Sequence, residues 1–200
     1  MKKIVEAGYD AIAEHYLSWS AQIADDPRLR YLEDFDGRLG DNAQVLELGC
    51  GAGIPVARKL AERHDVLGID LSQQQIELAR ANVPGARFEK ADMTQLDFPD
   101  GTFDGIAAFY SILHVPRAEQ PGLIAKIARW LKPGGFFLAS LGTGTPDVTE
   151  TWLGVEMFFG SHTPEKNREL LAGHLEIVTD DLVTMHEPDP ATFHWVLTRR

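Results

Sequence analysis

The sequence has little of several features that define whole classes of protein. Its single cysteine, Cys50, excludes an internal disulfide bond and a multi-cysteine zinc site, and it suits a reducing compartment. No run approaches the roughly 20 uninterrupted apolar residues that a membrane helix needs. The N-terminus reaches Glu6, Gly8 and Asp10 before a signal-peptide core could form. We therefore expect a cytoplasmic protein that does not enter a membrane.

Basic residues are also scarce. Lysine and arginine number 19 against 30 aspartates and glutamates, which gives a net charge of -11 and a pI near 5.0. Nucleic-acid binding draws its affinity from basic side chains on phosphate, so this balance argues against a polyanionic partner. The seven histidines include no H-x-x-x-H pair. We therefore predict neither a nucleic-acid partner nor a bound metal.

The remaining composition is that of an ordinary globular protein, with 44% apolar and 24% charged residues. A chain of 200 residues buries about 70% of the surface that its unfolded form exposes. We expect one domain that spans residues 1–200.

Strand-like and helix-like segments alternate between residues 43 and 141, which is typical of parallel β-α-β units with right-handed crossovers. Pro55 suits a first helical turn, and Ser72 is a favourable N-cap before Ile76, Ala79 and Val83, which share one helix face. The centre of the chain is therefore predicted to be a doubly wound α/β sheet. The predicted strands cover residues 43–48, 65–70, 86–91, 103–111 and 134–142, and the predicted helices cover 55–64, 72–83 and 118–131.

The C-terminal part follows a different pattern. A helix is predicted over 164–174, and two strands over 175–187 and 191–200. We expect these two strands to form a hairpin-like pair at one edge of the sheet. His186 and His194 lie on them and are expected to face solvent.

Three glycines, Gly49, Gly51 and Gly53, directly follow the first predicted strand. A dinucleotide-binding loop would have its last glycine where Ile54 stands. A phosphate loop needs a lysine followed by a hydroxyl residue, and "GCGAGIPV" has neither. A nucleoside site that holds no phosphate and a tight turn both remain open.

Two aspartates follow the next two strands. Asp70 stands 21 positions after Gly49, where a carboxylate accepts hydrogen bonds from both hydroxyls of a ribose. The alternative role for Asp70 is to cap the helix that starts near Ser72. Asp92 is placed to accept from an adenine amino group, and the Met93 amide to donate to a ring nitrogen.

Four blocks now carry a family resemblance: "ELGCGAG" (47–53), "GIDLS" (68–72), "KADMTQLDFPDGTFDGI" (90–106) and "RWLKPGGFFLAS" (129–140). In this order and spacing, over about half of the chain, they resemble the class I S-adenosylmethionine-dependent methyltransferases. The spacing is most similar to the ubiquinone and menaquinone biosynthesis branch.

The resemblance implies a Rossmann-like sheet of seven strands, mostly parallel with the last antiparallel, with helices on both faces. It divides the chain into an N-terminal helical cap (1–40), a cofactor-binding core (41–142) and an acceptor-side segment with the terminal strand pair (143–200). The implied cofactor is S-adenosylmethionine, with S-adenosylhomocysteine as product. The residues implied to bind it are Glu47, Gly49, Gly51, Gly53, Asp70, Leu71, Asp92, Met93 and Tyr16.

Tyr9 and Tyr16 have two interpretations. With Val5 and Ile12 they form an apolar stripe at helical spacing, which is more typical of core packing than of ligand contact. On a helix that covers the cofactor, the same two tyrosines would act as a lid.

Motifs that the chain lacks exclude several classes of methyl acceptor. The chain has "FYSILHVPR" after the fourth strand, where DNA amino-methyltransferases carry [DNS]-P-P-[YFW]. Asp104 begins that strand instead of ending it, so no magnesium cluster of the catechol type is implied. The glutamate-rich loop of protein arginine methyltransferases is also missing. A small-molecule acceptor remains.

His114 is the candidate general base, because it follows the fourth strand directly and titrates near neutral pH. Its alternative role is a hydrogen bond within the loop that leads to Pro116. The aromatic stretch 151–164 suggests an apolar acceptor pocket with polar anchors, although a helix on the sheet edge or a dimer contact fits it as well. The predicted pocket residues are Tyr9, Tyr110, Trp152, Glu156, Phe159 and His162.

We therefore predict a methyltransferase that moves a methyl group from S-adenosylmethionine to an oxygen, nitrogen or carbon of a small, partly apolar molecule. A cofactor-binding protein without transferase activity is the alternative, and an NAD-dependent oxidoreductase is a weaker one. The chain is expected to be a monomer or a homodimer.

Overall fold

A seven-stranded sheet forms the centre of the structure, a computed structural model that describes residues 1–23, 26–185 and 190–200. The predicted orientation of His186 lies outside the described residues. The strands of this sheet are β1 (Gln44–Leu48), β2 (Asp65–Asp70), β3 (Arg87–Lys90), β4 (Phe103–Phe109), β5 (Leu131–Leu141), β8 (Glu176–Met185) and β9 (Ala191–Arg199). Their order in the sheet is β3-β2-β1-β4-β5-β9-β8.

Strands β1 to β5 pair in parallel, whereas β9 is antiparallel to both of its neighbours, β5 and β8. The predicted doubly wound, mostly parallel sheet is confirmed, and so is the terminal strand pair. The last strand is inserted between β5 and β8, so β8 forms the edge. The helices are α1 (Lys2–Ser20), α2 (Pro27–Arg38), α3 (Val56–Leu60), α4 (Gln73–Asn82), α5 (Gln120–Trp130) and α6 (Pro164–Ala172).

Helices cover both faces of the sheet because its central strands are apolar on both sides. On β1, Val45 packs with apolar residues of α2, α3 and α4, and its neighbour Leu46 packs on the opposite face with residues of α5. Successive side chains of a strand point to opposite faces, so each face has its own core. Burying one such side chain contributes about 1.5–3 kcal/mol, which holds the carboxyl ends of the strands in register.

Two element boundaries differ from the prediction by three residues or more. Helix α3 ends at Leu60, because the chain then turns to bring His64 inside, where it lies 2.8 Å from Asp36 and 3.3 Å from the Ala43 amide. Strand β5 begins at Leu131, because Leu131 already pairs with Phe103 across a register irregularity. Neither contact can be predicted from the neighbouring residues in the sequence.

Residues 148–159 form an antiparallel hairpin of β6 (Val148–Trp152) and β7 (Val155–Phe159). Both loop residues, Leu153 and Gly154, have positive φ, which suits a two-residue hairpin turn. The helix that was one interpretation of this stretch is therefore wrong. Met157 and Phe158 pack against Val5, so the hairpin supports α1.

The expectation for His194 is also wrong. Its side chain is fully buried, with Nε2 2.8 Å from an Asp180 carboxylate oxygen and Nδ1 3.3 Å from the Asn167 amide nitrogen. The position is buried because α6 covers this part of β9. Within 1–23, 26–185 and 190–200, no helix is long and apolar enough to cross a membrane.

Candidate active site

A cavity that is partly open to solvent lies at the carboxyl ends of β1, β2 and β4. The glycine loop after β1 forms one wall, and the segments after β2, β3 and β4 form others. Helix α1 closes the cavity with Val5, Tyr9 and Tyr16. Ligands of open parallel α/β sheets bind at this edge, so the cavity stands where the fold predicts one.

The glycine loop can take its path because of Gly49. This residue has φ of 77°, and a Cβ atom there would lie 2.2 Å from the Cβ of Ser111. Its amide and that of Cys50 both donate to the Ile69 carbonyl, which ties the loop to β2. Gly53 faces away from the cavity, and a Cβ atom there would crowd Val83 and Phe88. Gly49 and Gly51 therefore line the cavity, and Gly53 lets the loop pack on the protein.

Asp70 connects the glycine loop with the start of α4. One carboxylate oxygen accepts from the Gly51 amide and the other from the Ser72 amide, both at 2.9 Å. The Ser72 hydroxyl, and not Asp70, accepts from the Gln75 amide and caps α4. Burial raises the pKa of Asp70, and the amide bonds oppose this effect. Each oxygen keeps a lone pair, so the carboxylate can still accept from a ligand.

Asp92 lies at the other end of this wall, beside Met93. The ammonium group of Lys2, on α1, lies 2.9 Å from Asp92 and 2.6 Å from Glu119. Burial raises the pKa of Asp92, but hydrogen bonds from Lys2 and Thr94 outweigh it, and the net effect is a lowered pKa. Asp92 is therefore an ionised acceptor that also holds the start of α1.

Glu47 is a carboxylic acid in an unusual environment. It is 3% exposed, and its Oε2 atom has no hydrogen-bond partner among the residues that the structure describes. Burial raises the pKa of Glu47 to about 8, against the opposing charge of Arg28. An unpartnered buried carboxyl oxygen costs free energy that a cationic ligand group can offset. The site therefore suits a ligand with an ammonium group.

Tyr9, His114 and the Phe158 carbonyl form a chain of hydrogen bonds at one end of the cavity. The Phe158 oxygen is 2.8 Å from His114 Nδ1, and the Tyr9 hydroxyl is 2.9 Å from Nε2. Because a carbonyl only accepts, Nδ1 carries the hydrogen and Nε2 accepts from Tyr9. Burial lowers the pKa of His114 to about 4, so the imidazole is neutral.

The structure brings together most of the predicted site residues and leaves some outside. Leu71, Tyr16 and Tyr110 line the cavity with those already described. Four predicted pocket residues do not: Trp152 packs against Tyr9, Phe159 packs against His114 and Trp152, Glu156 is exposed, and His162 bonds to the Arg117 carbonyl. Trp152, Glu156 and Phe159 belong to the β6–β7 hairpin, which packs against α1 and does not line the cavity, and His162 lies after the hairpin.

Sequence reasoning missed other lining residues: Lys2, Arg28, Gln75 and Ser111. Arg28 is 8% exposed, forms an ion pair of 2.6 Å with Asp26, and lies 5.7 Å from the ring centre of Tyr110. The sequence contains little indication that Arg28 is buried, because an arginine directly after a proline that starts a helix usually faces solvent. Its burial depends on how α2 meets the sheet.

The sheet order, the glycine loop and the cavity define a nucleoside-binding protein of the methyltransferase fold. A family described as a methyltransferase domain matches residues 45–135. The chain is also similar to the 1,6-didemethyltoxoflavin-N1-methyltransferase of Burkholderia thailandensis, solved with S-adenosylhomocysteine bound. That likeness has a TM-score of 0.70 at 21% identity and covers 98% of this chain and 90% of the other.

Curated relatives extend the match. A sterol 24-C-methyltransferase of Neurospora crassa is 34% identical over 140 residues, which is 66% of this chain and 32% of that protein. A phosphatidylethanolamine N-methyltransferase of Cereibacter sphaeroides is 30% identical over 138 residues, 63% of this chain and 65% of the relative. The chain thus spans less than two thirds of these relatives. Residues 45–135 thus match a methyltransferase domain, and the fold is that of the class I S-adenosylmethionine-dependent methyltransferases.

Proposed function

We propose that the protein transfers a methyl group from S-adenosylmethionine to an oxygen, nitrogen or carbon of a small, partly apolar molecule. One observation carries the proposal. A single cavity holds the glycine loop with Asp70 and Asp92 along one wall and the Tyr9–His114 pair at its other end. Nucleoside-binding groups and a proton acceptor therefore face the same space.

The donor would be held by groups that each match part of it. Asp70 would accept from the ribose hydroxyls, Leu71 would pack on adenine, and Asp92 with the Met93 amide would bind the adenine edge. Glu47, which would lose its proton beside a ligand ammonium, and the cation of Arg28 suit the ammonium and carboxylate of an amino acid. When bound, S-adenosylmethionine supplies an electrophilic methyl group on a sulfonium, so positioning is the main task of the protein.

Proton removal would be the task of Tyr9 and His114. A neutral imidazole whose Nδ1–H is bound to the Phe158 carbonyl has its lone pair on Nε2. It accepts the Tyr9 proton as Tyr9 takes one from the acceptor. The same carbonyl favours the resulting imidazolium, and burial, which lowers the pKa of His114 to about 4, opposes it. Such general-base assistance contributes about 10²- to 10⁴-fold when the acceptor starts protonated. An acceptor that is already a free amine does not need it.

The acceptor class follows from the walls of the cavity. Tyr9, Tyr16, Phe109 and Tyr110 offer aromatic surface, and Arg28 adds one buried cation. This mixture favours a small molecule with an apolar body and a few polar groups. The relatives named for sterol and phosphatidylethanolamine methylation support a small-molecule acceptor.

Four further properties of the protein remain predictions. They are its place in the ubiquinone and menaquinone branch, its cytoplasmic location, its state as a monomer or homodimer, and its single domain with segments 1–40, 41–142 and 143–200.

Two measurements test the proposal. Calorimetric titration with S-adenosylhomocysteine is expected to give saturable binding with one site per chain. Incubation with methyl-labelled S-adenosylmethionine and a panel of quinols, phenols, amines and sterols is expected to label at least one acceptor. Binding without any labelling would favour a cofactor-binding protein that lacks transferase activity. Binding of NADH in place of S-adenosylhomocysteine would overturn the proposal.

A further inference from the structure

Gln120, the first residue of α5, is a buried amide that bonds to three backbone carbonyls. It is 5% exposed. Its Nε2 atom lies 2.8 Å from the Val115 and Gly160 oxygens and 3.3 Å from the Ile112 oxygen. Three acceptors can surround only a donor, so the amide nitrogen, and not the amide oxygen, faces them. An apolar side chain would leave these carbonyls without that donor, and a carboxylate would repel them.

The three carbonyls belong to the two segments that hold His114. Ile112 and Val115 stand on either side of His114 in the turn that follows β4. Gly160 stands two residues after Phe158, whose carbonyl oxygen lies 2.8 Å from His114 Nδ1. One side chain therefore spans the segment that carries the imidazole and the segment that carries its hydrogen-bond acceptor.

The distance between these segments decides which ring nitrogen of His114 carries the hydrogen. While the Phe158 oxygen stays at 2.8 Å, Nδ1 keeps the hydrogen and Nε2 faces Tyr9 as an acceptor. If the segments separate, that bond lengthens, and the neutral ring can carry its hydrogen on either nitrogen. A ring with the hydrogen on Nε2 cannot take the Tyr9 proton.

A backbone hydrogen bond also joins the two segments, because the Gly160 amide donates to the Leu113 carbonyl at 2.8 Å. A single bond leaves rotation about it free. Gln120 bonds to carbonyls before and after Leu113 in the turn. The side chain therefore limits how the turn, and with it the imidazole, can rotate against the end of β7.

We propose that Gln120 is a positioning residue for the reaction, which holds the His114 imidazole in the orientation and tautomer that accept a proton from Tyr9. The inference rests on the proton-acceptor role proposed above for that pair. Gln120 is not among the residues that line the cavity. Its effect therefore reaches the reaction through His114 and not through contact with a ligand.

The first test replaces Gln120 by Met, which keeps the length of the side chain and removes the donor. Nitrogen-15 NMR of the histidine rings reports the tautomer of His114, whose signals are assigned by their absence in His114→Ala. At pH 7 the wild type is expected to show a protonated Nδ1 and an unprotonated Nε2, since burial lowers the pKa of His114 to about 4. In Gln120→Met we expect the hydrogen to be shared between the two nitrogens.

The second test measures kcat for an acceptor that loses a proton, beside calorimetric binding of S-adenosylhomocysteine. For Gln120→Met we expect kcat to fall by about 10- to 10²-fold, because the base is misplaced. The Kd of S-adenosylhomocysteine is expected to change by less than about twofold, since the donor site is untouched.

Asn167→Leu is the matched control, because Asn167 is also buried and its side-chain amide donates to the Gly142 carbonyl, outside the turn. Both variants are expected to lower the Tm, since each leaves a carbonyl without its donor. Asn167→Leu is expected to keep the wild-type tautomer of His114 and the wild-type kcat.

An unchanged tautomer or an unchanged kcat in Gln120→Met overturns the positioning role, and so does an equal fall of kcat in Asn167→Leu. If Gln120→Met does not fold, Gln120→Leu replaces it. A wild type that transfers no methyl group would overturn the proposed function, which is a separate result. The tautomer in Gln120→Met then decides by itself whether Gln120 positions His114.

Discussion

The Tyr9 hydroxyl and Nε2 of His114 lie 2.9 Å apart, although 105 residues separate them in the chain. Tyr9 belongs to α1, His114 to the turn after β4, and the carbonyl that orients the imidazole belongs to β7. The proposed proton acceptor is therefore assembled from three distant segments, and a change in any of them alters its geometry.

Tyr9→Phe tests this pair. With an acceptor that loses a proton, turnover is expected to fall about 10²-fold or more, because the phenol no longer passes the proton to His114. The Kd of S-adenosylhomocysteine is expected to change little. The measurement is kcat beside calorimetric binding.

Tyr31→Phe is the control, because it removes a phenol hydroxyl that donates to Asp181 and does not line the cavity, and near-normal turnover is expected. His114→Ala is expected to reduce turnover as strongly as Tyr9→Phe. Full activity in both the Tyr9 and His114 variants would remove the pair from the mechanism.

Glu47→Gln tests the buried carboxyl group. The folded pKa of about 8 lies above the ordinary value of 4.5, so the folded state binds the proton more tightly than the unfolded state. The stability of the wild type should therefore fall as pH rises from about 4.5 through 8. The side chain of the Gln variant cannot ionise, so the variant does not lose stability in this way. It is expected to be more stable than the wild type at pH 8 by roughly 1–3 kcal/mol.

Urea unfolding of both proteins at pH 5 and pH 8 measures the difference. A ligand ammonium would favour the ionised form of Glu47, so we expect S-adenosylhomocysteine binding at pH 7 to release a proton. Calorimetry in two buffers of different ionisation enthalpy detects that release. Equal pH dependence of stability in wild type and variant would contradict the assignment.

Asp70→Asn tests the carboxylate beside the glycine loop. The Asn side chain keeps one acceptor oxygen but loses the charge, so one of the bonds to the Gly51 and Ser72 amides is lost. We expect a stability loss of about 1–2 kcal/mol and a Kd for S-adenosylhomocysteine that rises by about 10²-fold. Chemical unfolding and calorimetry separate the two effects. If only the stability changes, Asp70 organises the loop and does not bind the ligand.

Gly49→Ala tests the path of the loop. Its Cβ would lie 2.2 Å from the Cβ of Ser111, and φ is positive, so both space and backbone oppose the change. We expect a loss of about 2–4 kcal/mol in unfolding free energy, together with loss of S-adenosylhomocysteine binding.

Gly37→Ala is the matched control, because Gly37 lies within α2 with no atom within 4 Å of its Cβ position. It is expected to stabilise the protein by about 0.5–1 kcal/mol. A Gly49 variant that unfolds and binds like the wild type would show that the loop has another accessible path.

The sequence predicted the features that depend on neighbours along the chain. The N-cap at Ser72, the helix face of Ile76, Ala79 and Val83, and the strand before Gly49 were confirmed. Each has a local physical cause: a side-chain cap, an apolar period or a glycine that ends a strand.

Features that depend on distant contacts were missed. The burial of Arg28 and the ion pair between Lys2 and Asp92 need the packing of α1 and α2 on the sheet. The hairpin of residues 148–159 was not predicted, because Leu153 stands before Gly154 where such turns usually have an asparagine.

The support of α1 by the β6–β7 hairpin has a consequence for how the acceptor preference of this fold can change. Trp152 packs against Tyr9 and Tyr16, and Phe159 packs against Trp152 and His114; neither lines the cavity, yet both support side chains that do. Substitutions in the hairpin would reshape the acceptor end without altering the glycine loop, Asp70 or Asp92. Substitutions in the hairpin can thus change the proposed acceptor end while the residues of the proposed donor site stay the same.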